Sequence, residues 1–369
     1  MPRSTKHILI ICSEFPPQPG GIGTHALYLA KALTDSGFEV SVLTDQRSDS
    51  GVPEADFDKG LSFFVQRIKK RPLRVFMYFD RIVKTFKWLK QADSVVASGK
   101  FSLWSVAFCT IFRKRLSLAV IHGTEVNMPS KVLKRLVNLS IKRFDKVVAV
   151  SNYTKALMAH LNIPVHVIPN GIVCDDWKVV DKGLDDIKLK GSPVFITVGR
   201  VSERKGQREF VEMLPELLPY YPELHYHCVG IADESFAVKQ QVETLGLHSQ
   251  VSFHGVLSEN HLKACLKQSD IFIMLSKAEA TGDVEGFGIA VLEANAMGIP
   301  VIAAKGTGVE DAVASEQSGI LIPLGDTKAL QMAVQSILGN KETFKKGALA
   351  WAEAHDWKHI VNQYIALLS

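Results

Sequence analysis

Cysteine is scarce in this chain of 369 residues. Its five cysteines (Cys12, Cys109, Cys174, Cys228 and Cys265) are scattered, odd in number and never spaced Cys-x-x-Cys. That pattern argues against a disulfide framework or a zinc ligand set and suits reduced core thiols in a cytoplasmic protein. Long apolar runs are missing as well. The longest, Ser102–Phe112, is too short to span a bilayer. The opening run His7–Cys12 gives way to Pro16-Pro17, so no secretory signal is expected. Low-complexity tracts, close internal repeats and nucleic-acid-binding motifs are also lacking, so no nucleic-acid partner is expected.

What remains is an ordinary globular composition, 47% hydrophobic and 22% charged, in a chain long enough for two domains with a core each. The charge is unevenly placed. Residues 1–160 carry 25 Lys and Arg against 12 Asp and Glu, whereas the remainder carries 18 against 26. Much of the basic excess lies in Lys69–Lys90 and Arg113–Lys146, where bases alternate with Phe, Trp, Leu and Val. Such a surface attracts anionic lipid, although a plain solvated face has the same composition.

Strand-like runs alternate with helical spacing along most of the chain. His7–Cys12 and Glu39–Thr44 flank a helix over Thr24–Ser36, with Leu27, Ala30 and Leu33 on one face and Gly37 as its stop. Ser94–Ala97, Ala119–His122, Lys146–Val150 and His166–Ile168 continue the series, while residues 48–60 read as an exposed polar loop. Asp175–Ser192 has the texture of a linker, after which the rhythm restarts with Val194–Val198, His225–Val229, Val251–Phe253, Ile271–Leu275 and Val301–Ala303. The expected architecture is α/β, with two doubly wound domains in tandem and a ligand cleft between them.

Four motifs stand at expected strand ends. Pro19-Gly20-Gly21-Ile22-Gly23 opens the first helix, where backbone N–H groups can approach an anion. Gly21, Gly23 and Ala26 also fit a loose Gly-x-Gly-x-x-Ala fingerprint with Asp45 as the ribose acid, so an NAD-dependent dehydrogenase is a competing reading. Against it, Ser13–Pro19 intervenes where the fingerprint needs a tight turn directly after the strand. His122-Gly123-Thr124-Glu125 follows another strand, with His122 available to a bound sugar. Gly199–Gly206 places Arg200 and Lys205 across a short loop, an arrangement that neutralises a departing diphosphate; its alternative is a solvated basic loop. In Glu285–Glu293 two carboxylates bracket a Gly-rich turn and the start of a helix, whose free N–H groups suit phosphate. Asp283-Val284-Glu285 also has acid-x-acid form, but the nearby cations can serve in place of a metal, and no metal or cofactor is expected.

In their order and spacing these motifs resemble the retaining glycosyltransferases of family four, which have the GT-B fold. The resemblance rests on Phe15–Gly23, His122-Gly123, Val150-Ser151, Ile168–Ile172, Gly199–Gly206, Val229-Gly230, Phe253–Gly255, Glu285–Glu293 and Gly298–Ala303. It implies a hexosyltransferase that moves a sugar from GDP-mannose or a UDP-sugar to a hydroxyl of a lipid-linked or polysaccharide acceptor. Gly20 and Gly21 then face the donor phosphate and acceptor, and His122 lies near the transferred sugar. Arg200 and Lys205 grip the diphosphate, and Gly255 meets the base. Glu285 takes sugar hydroxyls, Phe287, Gly288 and Ile289 offer amides, and Glu293 takes the ribose hydroxyls. The implied domains are an acceptor domain over 1–172, a nucleotide-sugar domain over 173–345, and a helix over 346–369 packing back on the first. Ala278–Val284 is longer than the family's shortest form and resembles members that build mannosylated or other glycolipids. A peripheral position on the inner face of the membrane is the matching expectation, and a non-catalytic sugar-nucleotide sensor is a further alternative.

Overall fold

The computed structural model describes residues 5–178, 188–232, 235–279 and 281–368. It divides into two compact units, Met1–Gly171 with Trp357–Ser369, and Ile172–Asp356. Along the first run β1 (His7–Cys12), α1 (Gly21–Asp35), β2 (Glu39–Asp45), α2 (Val52–Asp58), β3 (Phe64–Ile68), α3 (Arg74–Trp88), β4 (Ser94–Ser98), α4 (Lys100–Phe112), β5 (Leu116–Ile121), α5 (Lys131–Ile141), β6 (Lys146–Ala149), α6 (Asn152–Leu157) and β7 (His166–Val167). All seven strands are parallel, in the order β3-β2-β1-β4-β5-β6-β7. Strands covered on both faces must be apolar on both, and β1 and β4 are buried at every position. Leu9, Ile11, Val95, Ala97, Ala119 and Ile121 face one core with residues of α4 and α5.

The second unit holds α7 (Cys174–Lys178), β8 (Val194–Val198), α8 (Gln207–Leu217), β9 (His225–Val229), α9 (Ser235–Thr244), β10 (Val251–Gly255), α10 (Glu259–Lys267), β11 (Ile271–Met274), α11 (Ile289–Ala296), β12 (Val301–Ala304), β13 (Gly319–Ile322), α12 (Thr327–Gly339) and α13 (Lys341–Ala354). Its six strands are also parallel, in the order β10-β9-β8-β11-β12-β13. Last comes α14 (Trp357–Leu368), which packs on α1 and β5 in the first unit. Trp357, Ile360 and Tyr364 bury its inner face, whereas Trp351 on α13 is half-buried and donates its indole N–H to the Ala312 carbonyl at 2.8 Å.

The order in which successive strands are added reverses between two neighbouring parallel strands of each sheet, β1 and β4 in the first, β8 and β11 in the second. Loops leaving such a pair part to opposite faces and leave a crevice at the carboxyl ends, the usual place for a ligand in this architecture. Three of the four motifs singled out lie on loops of this kind, Pro19–Gly23 after β1, Gly199–Gly206 after β8 and Glu285–Glu293 after β11, while His122 follows β5, the neighbour of β4. The expected polar loop over residues 48–60 needs correcting. Val52–Asp58 is a short helix, and its Glu54 is fully buried. The Glu54 carboxylate accepts from the N–H groups of Arg47 at 2.9 Å and Ser48 at 2.7 Å. Burial would raise this carboxyl, but the bonds from Ser48 and Arg47 outweigh it and hold the group down at about 2. The sequence there is polar because a seven-residue helix with one capped acid shows most of its surface to water. Of the expected linker, residues 179–187 lie outside the described residues.

Candidate active site

In the second unit the site forms where the loops after β8 and β11 meet. Gly199 leaves β8, and a short 3₁₀ turn over Glu203–Lys205 follows. Gly206 then adopts φ +77° and starts α8; a side chain there would run into the Leu275 carbonyl, so only glycine lets the two loops close. The turn aims Arg204 and Lys205 at the loop after β11. Arg204 Nη1 binds Glu285 Oε2, its Nε lies 3.2 Å from Asp283 Oδ2, and its backbone N–H donates to Glu279 Oε1 at 3.0 Å. Lys205 Nζ reaches the same Glu285 oxygen at 2.9 Å. Burial would raise the Glu285 carboxyl, but the charges of Lys205 and Arg204 outweigh it, and the group is held below its ordinary range.

The Glu285 turn is itself fixed. The Gly308 N–H donates to the Glu285 carbonyl at 3.0 Å, and any side chain on Gly308 would strike the Gly286 carbonyl. Gly288, at φ +93°, caps α11, Phe287 before it is buried, and Ile289 begins the helix, whose first N–H groups have no carbonyl partner within it. Glu293 lies one turn further along. No hydrogen bond reaches its carboxyl group among the described residues. Burial pushes it up to about 7, against the charge of Lys205 and with that of Glu259. Gly255 ends β10 at φ +67° and accepts from the Gly230 N–H at 2.8 Å.

The second unit thus gathers Lys205, Glu285, Phe287, Gly288, Ile289 and Glu293. Arg200 stands apart: its side chain is exposed, and its carbonyl accepts from Gln207 Nε2 at 3.1 Å. The cation that reading from the sequence missed is Arg204. Its only signal was its place beside Lys205, because the turn that aims it follows no periodicity. Asp283 and Glu285, the acid-x-acid pair, both face Arg204.

In the first unit, Gly20 and Gly21 lie where α1 begins, at the carboxyl end of β1, and the Thr24 N–H donates to the Gly20 carbonyl at 2.9 Å. His122 follows β5 and is buried. Its Nε2 lies 2.9 Å from Ser98 Oγ, and its backbone N–H donates to Glu125 Oε2 at 3.1 Å. Burial lowers the His122 imidazole to about 4, so the ring is neutral at pH 7. His25 stands edge-on at 5.0 Å from it and bonds the Tyr364 hydroxyl at 3.0 Å; burial, with His122 adding, holds His25 well below its ordinary value. Glu125 is fully buried, and burial raises it to about 7. His25 and Tyr364 lie 339 residues apart, a pairing that spacing in the sequence could not reveal. A concavity of about 740 Å³ opens nearby, lined by Ser13, Glu14, Asp45, Gln46, Arg47 and Lys70 among others, at the carboxyl ends of β1 and β2. Asp45, the ribose acid of the dehydrogenase reading, is paired with the buried Arg81.

Two doubly wound sheets with sites at their switch points define the GT-B class. The model for glycosyl transferases group 1 matches residues 185–350, and that for glycosyltransferase family 4 matches residues 19–176. Together they span most of the chain, which belongs to these glycosyltransferases; the dehydrogenase reading falls with that assignment. The chain is similar to a phosphatidyl-myo-inositol mannosyltransferase of Mycobacterium leprae, 25% identical over 96% of this chain and 94% of the relative. It is also similar to the GPI3 subunit of a Saccharomyces cerevisiae phosphatidylinositol N-acetylglucosaminyltransferase, 24% identical over 85% of this chain and 71% of that one. Among solved structures, Anabaena HepE in complex with UDP and glucose shares the fold with a TM-score of 0.79, at 20% identity over 98% and 99% of the two chains.

Proposed function

We propose that this enzyme is a retaining hexosyltransferase that uses a nucleotide diphosphate sugar, GDP-mannose or a UDP-sugar, and glycosylates a hydroxyl of a lipid-linked or polysaccharide acceptor. The carrying observation is Glu285, an ionised carboxylate held by Arg204 and Lys205 at the switch point of the second unit. A carboxylate kept charged in a half-buried turn accepts from sugar hydroxyls. The ammonium beside it exchanges that partner for a diphosphate as negative charge develops there. In the reaction proposed, the bond from the anomeric carbon to the β-phosphate oxygen breaks and its electron pair goes to phosphate. The acceptor oxygen bonds to the same face of that carbon, and its proton passes to the departing phosphate. Lys205 and Arg200 stabilise that phosphate, the α11 amides at Gly288 and Ile289 hold it, Glu293 takes the ribose hydroxyls, and Gly255 meets the base. No metal is needed, because cations of the chain supply the charge. The second unit is assigned to the donor. The first is assigned to the acceptor, with its concavity as the acceptor's seat, Gly20 and Gly21 at the phosphate and neutral His122 as a hydrogen-bonding group for the sugar.

The name of a further relative, a GDP-mannose-dependent phosphatidylinositol monomannoside mannosyltransferase of Mycolicibacterium smegmatis, and the UDP-glucose complex of Anabaena HepE support the two donor classes. A screen of nucleotide sugars for slow hydrolysis tests the reading without an acceptor. One donor should turn over, and Glu285→Ala and Lys205→Ala should each lower its turnover by about 10²–10³-fold with unchanged circular dichroism. Turnover retained by both variants contradicts the roles. Nucleotide-sugar binding without any turnover would instead mark a sensor.

A further inference from the structure

Thirteen of the twenty-one large apolar side chains exposed among the described residues lie on α3, α4 and α5 or at Leu73 just before them. These helices are neighbours: α3 packs on α4 and α4 on α5. Phe76 and Phe79 stand out from α3, and Phe108 and Phe112 from α4, the last two in edge contact at 5.5 Å. On α5, Val137 and Ile141 turn to the core, whereas Val132, Leu136 and Leu139 form a ridge on the opposite side. An exposed apolar face of this extent marks an interaction surface.

The charge beside it selects the partner. Lys131, Lys134 and Arg135 of α5 and Lys142 just after it line a concavity of about 380 Å³, with Leu139 and His160 among the rest of its wall. None of these four cations pairs with a carboxylate among the described residues, although surface lysines elsewhere in the chain do so repeatedly. An apolar ridge with an uncompensated basic flank is complementary to lipid with anionic headgroups: the ridge enters the acyl boundary and the cations meet phosphate.

We infer that the outer face of α3, α4 and α5 docks on an anionic bilayer, with the α5 concavity seating a lipid headgroup phosphate. The inference rests on the reading of the acceptor as lipid-borne, and it gives that reading a geometry. α3 carries Met77 on the wall of the larger cavity and Phe76 and Phe79 on the docking face. Docking therefore brings that cavity to the lipid surface.

The test is co-sedimentation of the full chain with vesicles of phosphatidylcholine alone or containing 30% phosphatidylglycerol, at low and high salt. Binding should require the anionic lipid and weaken with salt. Lys134→Gln/Arg135→Gln/Lys142→Gln should reduce it about 100-fold, at roughly fivefold per cation. Phe79→Gln/Phe112→Gln should keep the salt-sensitive attraction but lose penetration, read as quenching of tryptophan fluorescence by brominated lipid. Equal binding to both vesicle types, or parental binding by both variants, overturns the inference. So does a dimer in solution that Phe79→Gln/Phe112→Gln converts to monomer, since a second copy would then cover the face. Donor hydrolysis in lipid-free buffer should be unchanged in both variants. Docking that fails while hydrolysis persists removes only this inference, and hydrolysis that fails removes the reading beneath it.

Discussion

Glu285 and Glu293 sit eight positions apart in the same half-buried surroundings, yet burial wins at one and loses at the other. Two cations touch Glu285 and hold its carboxyl down. At Glu293 burial, with the charge of Glu259 adding, outweighs the more distant charge of Lys205, and the carboxyl rises to about 7. A group with that value is half-protonated at neutral pH, and ribose hydroxyls donating to it favour the ionised form. Nucleotide binding should therefore release a proton between pH 6 and 7. Affinity should rise by up to about tenfold per pH unit on approaching pH 7 and level off above it. Calorimetry in buffers of different ionisation enthalpy reads the released proton directly, and Glu293→Gln should abolish both the release and the pH dependence. A pH-independent affinity in the parent chain would remove Glu293 from the nucleotide site. At this scale the sequence was informative about carboxylates and weaker on cations. Glu285 and Glu293 are marked by the Gly-rich turn between them, while Arg204 and Arg200 compete for one role in a loop whose conformation no pattern dictates.

Strands were the legible elements. In a parallel sheet covered on both faces each strand is a short apolar run, and runs such as His7–Cys12, Val194–Val198 and Ile271–Leu275 fall on β1, β8 and β11 to within a residue. The amphipathic helix α1 was also readable from its spacing. The short helix α2 was not, since seven residues give too little period. The loops matter more for chemistry, and Gly206 is where two of them depend on one residue. Gly206→Ala places a side chain against the Leu275 carbonyl at a positive φ. It should cost about 1–3 kcal/mol of stability in urea unfolding. Donor turnover should fall further than the lost stability explains, because Arg204 and Lys205 move with the turn. A Gly206→Ala protein with parental turnover would show that the turn does not aim them.

Across the whole molecule the two units divide their chemistry. The basic, partly apolar-faced unit carries the cavity, His122 and the docking helices; the more acidic one carries the Arg204–Lys205–Glu285 cluster. No helix among the described residues is long and apolar enough to cross a membrane. Tandem doubly wound domains were legible in the sequence because the strand–helix rhythm stops and restarts around residue 180. The pairing of His25 with Tyr364 was not, because only the folded chain brings α14 onto α1. The proposal of a retaining transferase acting at Glu285 is tested most directly by proton NMR of the anomeric signal during donor hydrolysis, recorded before mutarotation. The account predicts that the first free sugar has the anomeric configuration of the donor and that Glu285→Ala suppresses its release. A first-formed sugar of opposite configuration, or release undiminished in Glu285→Ala, would contradict it.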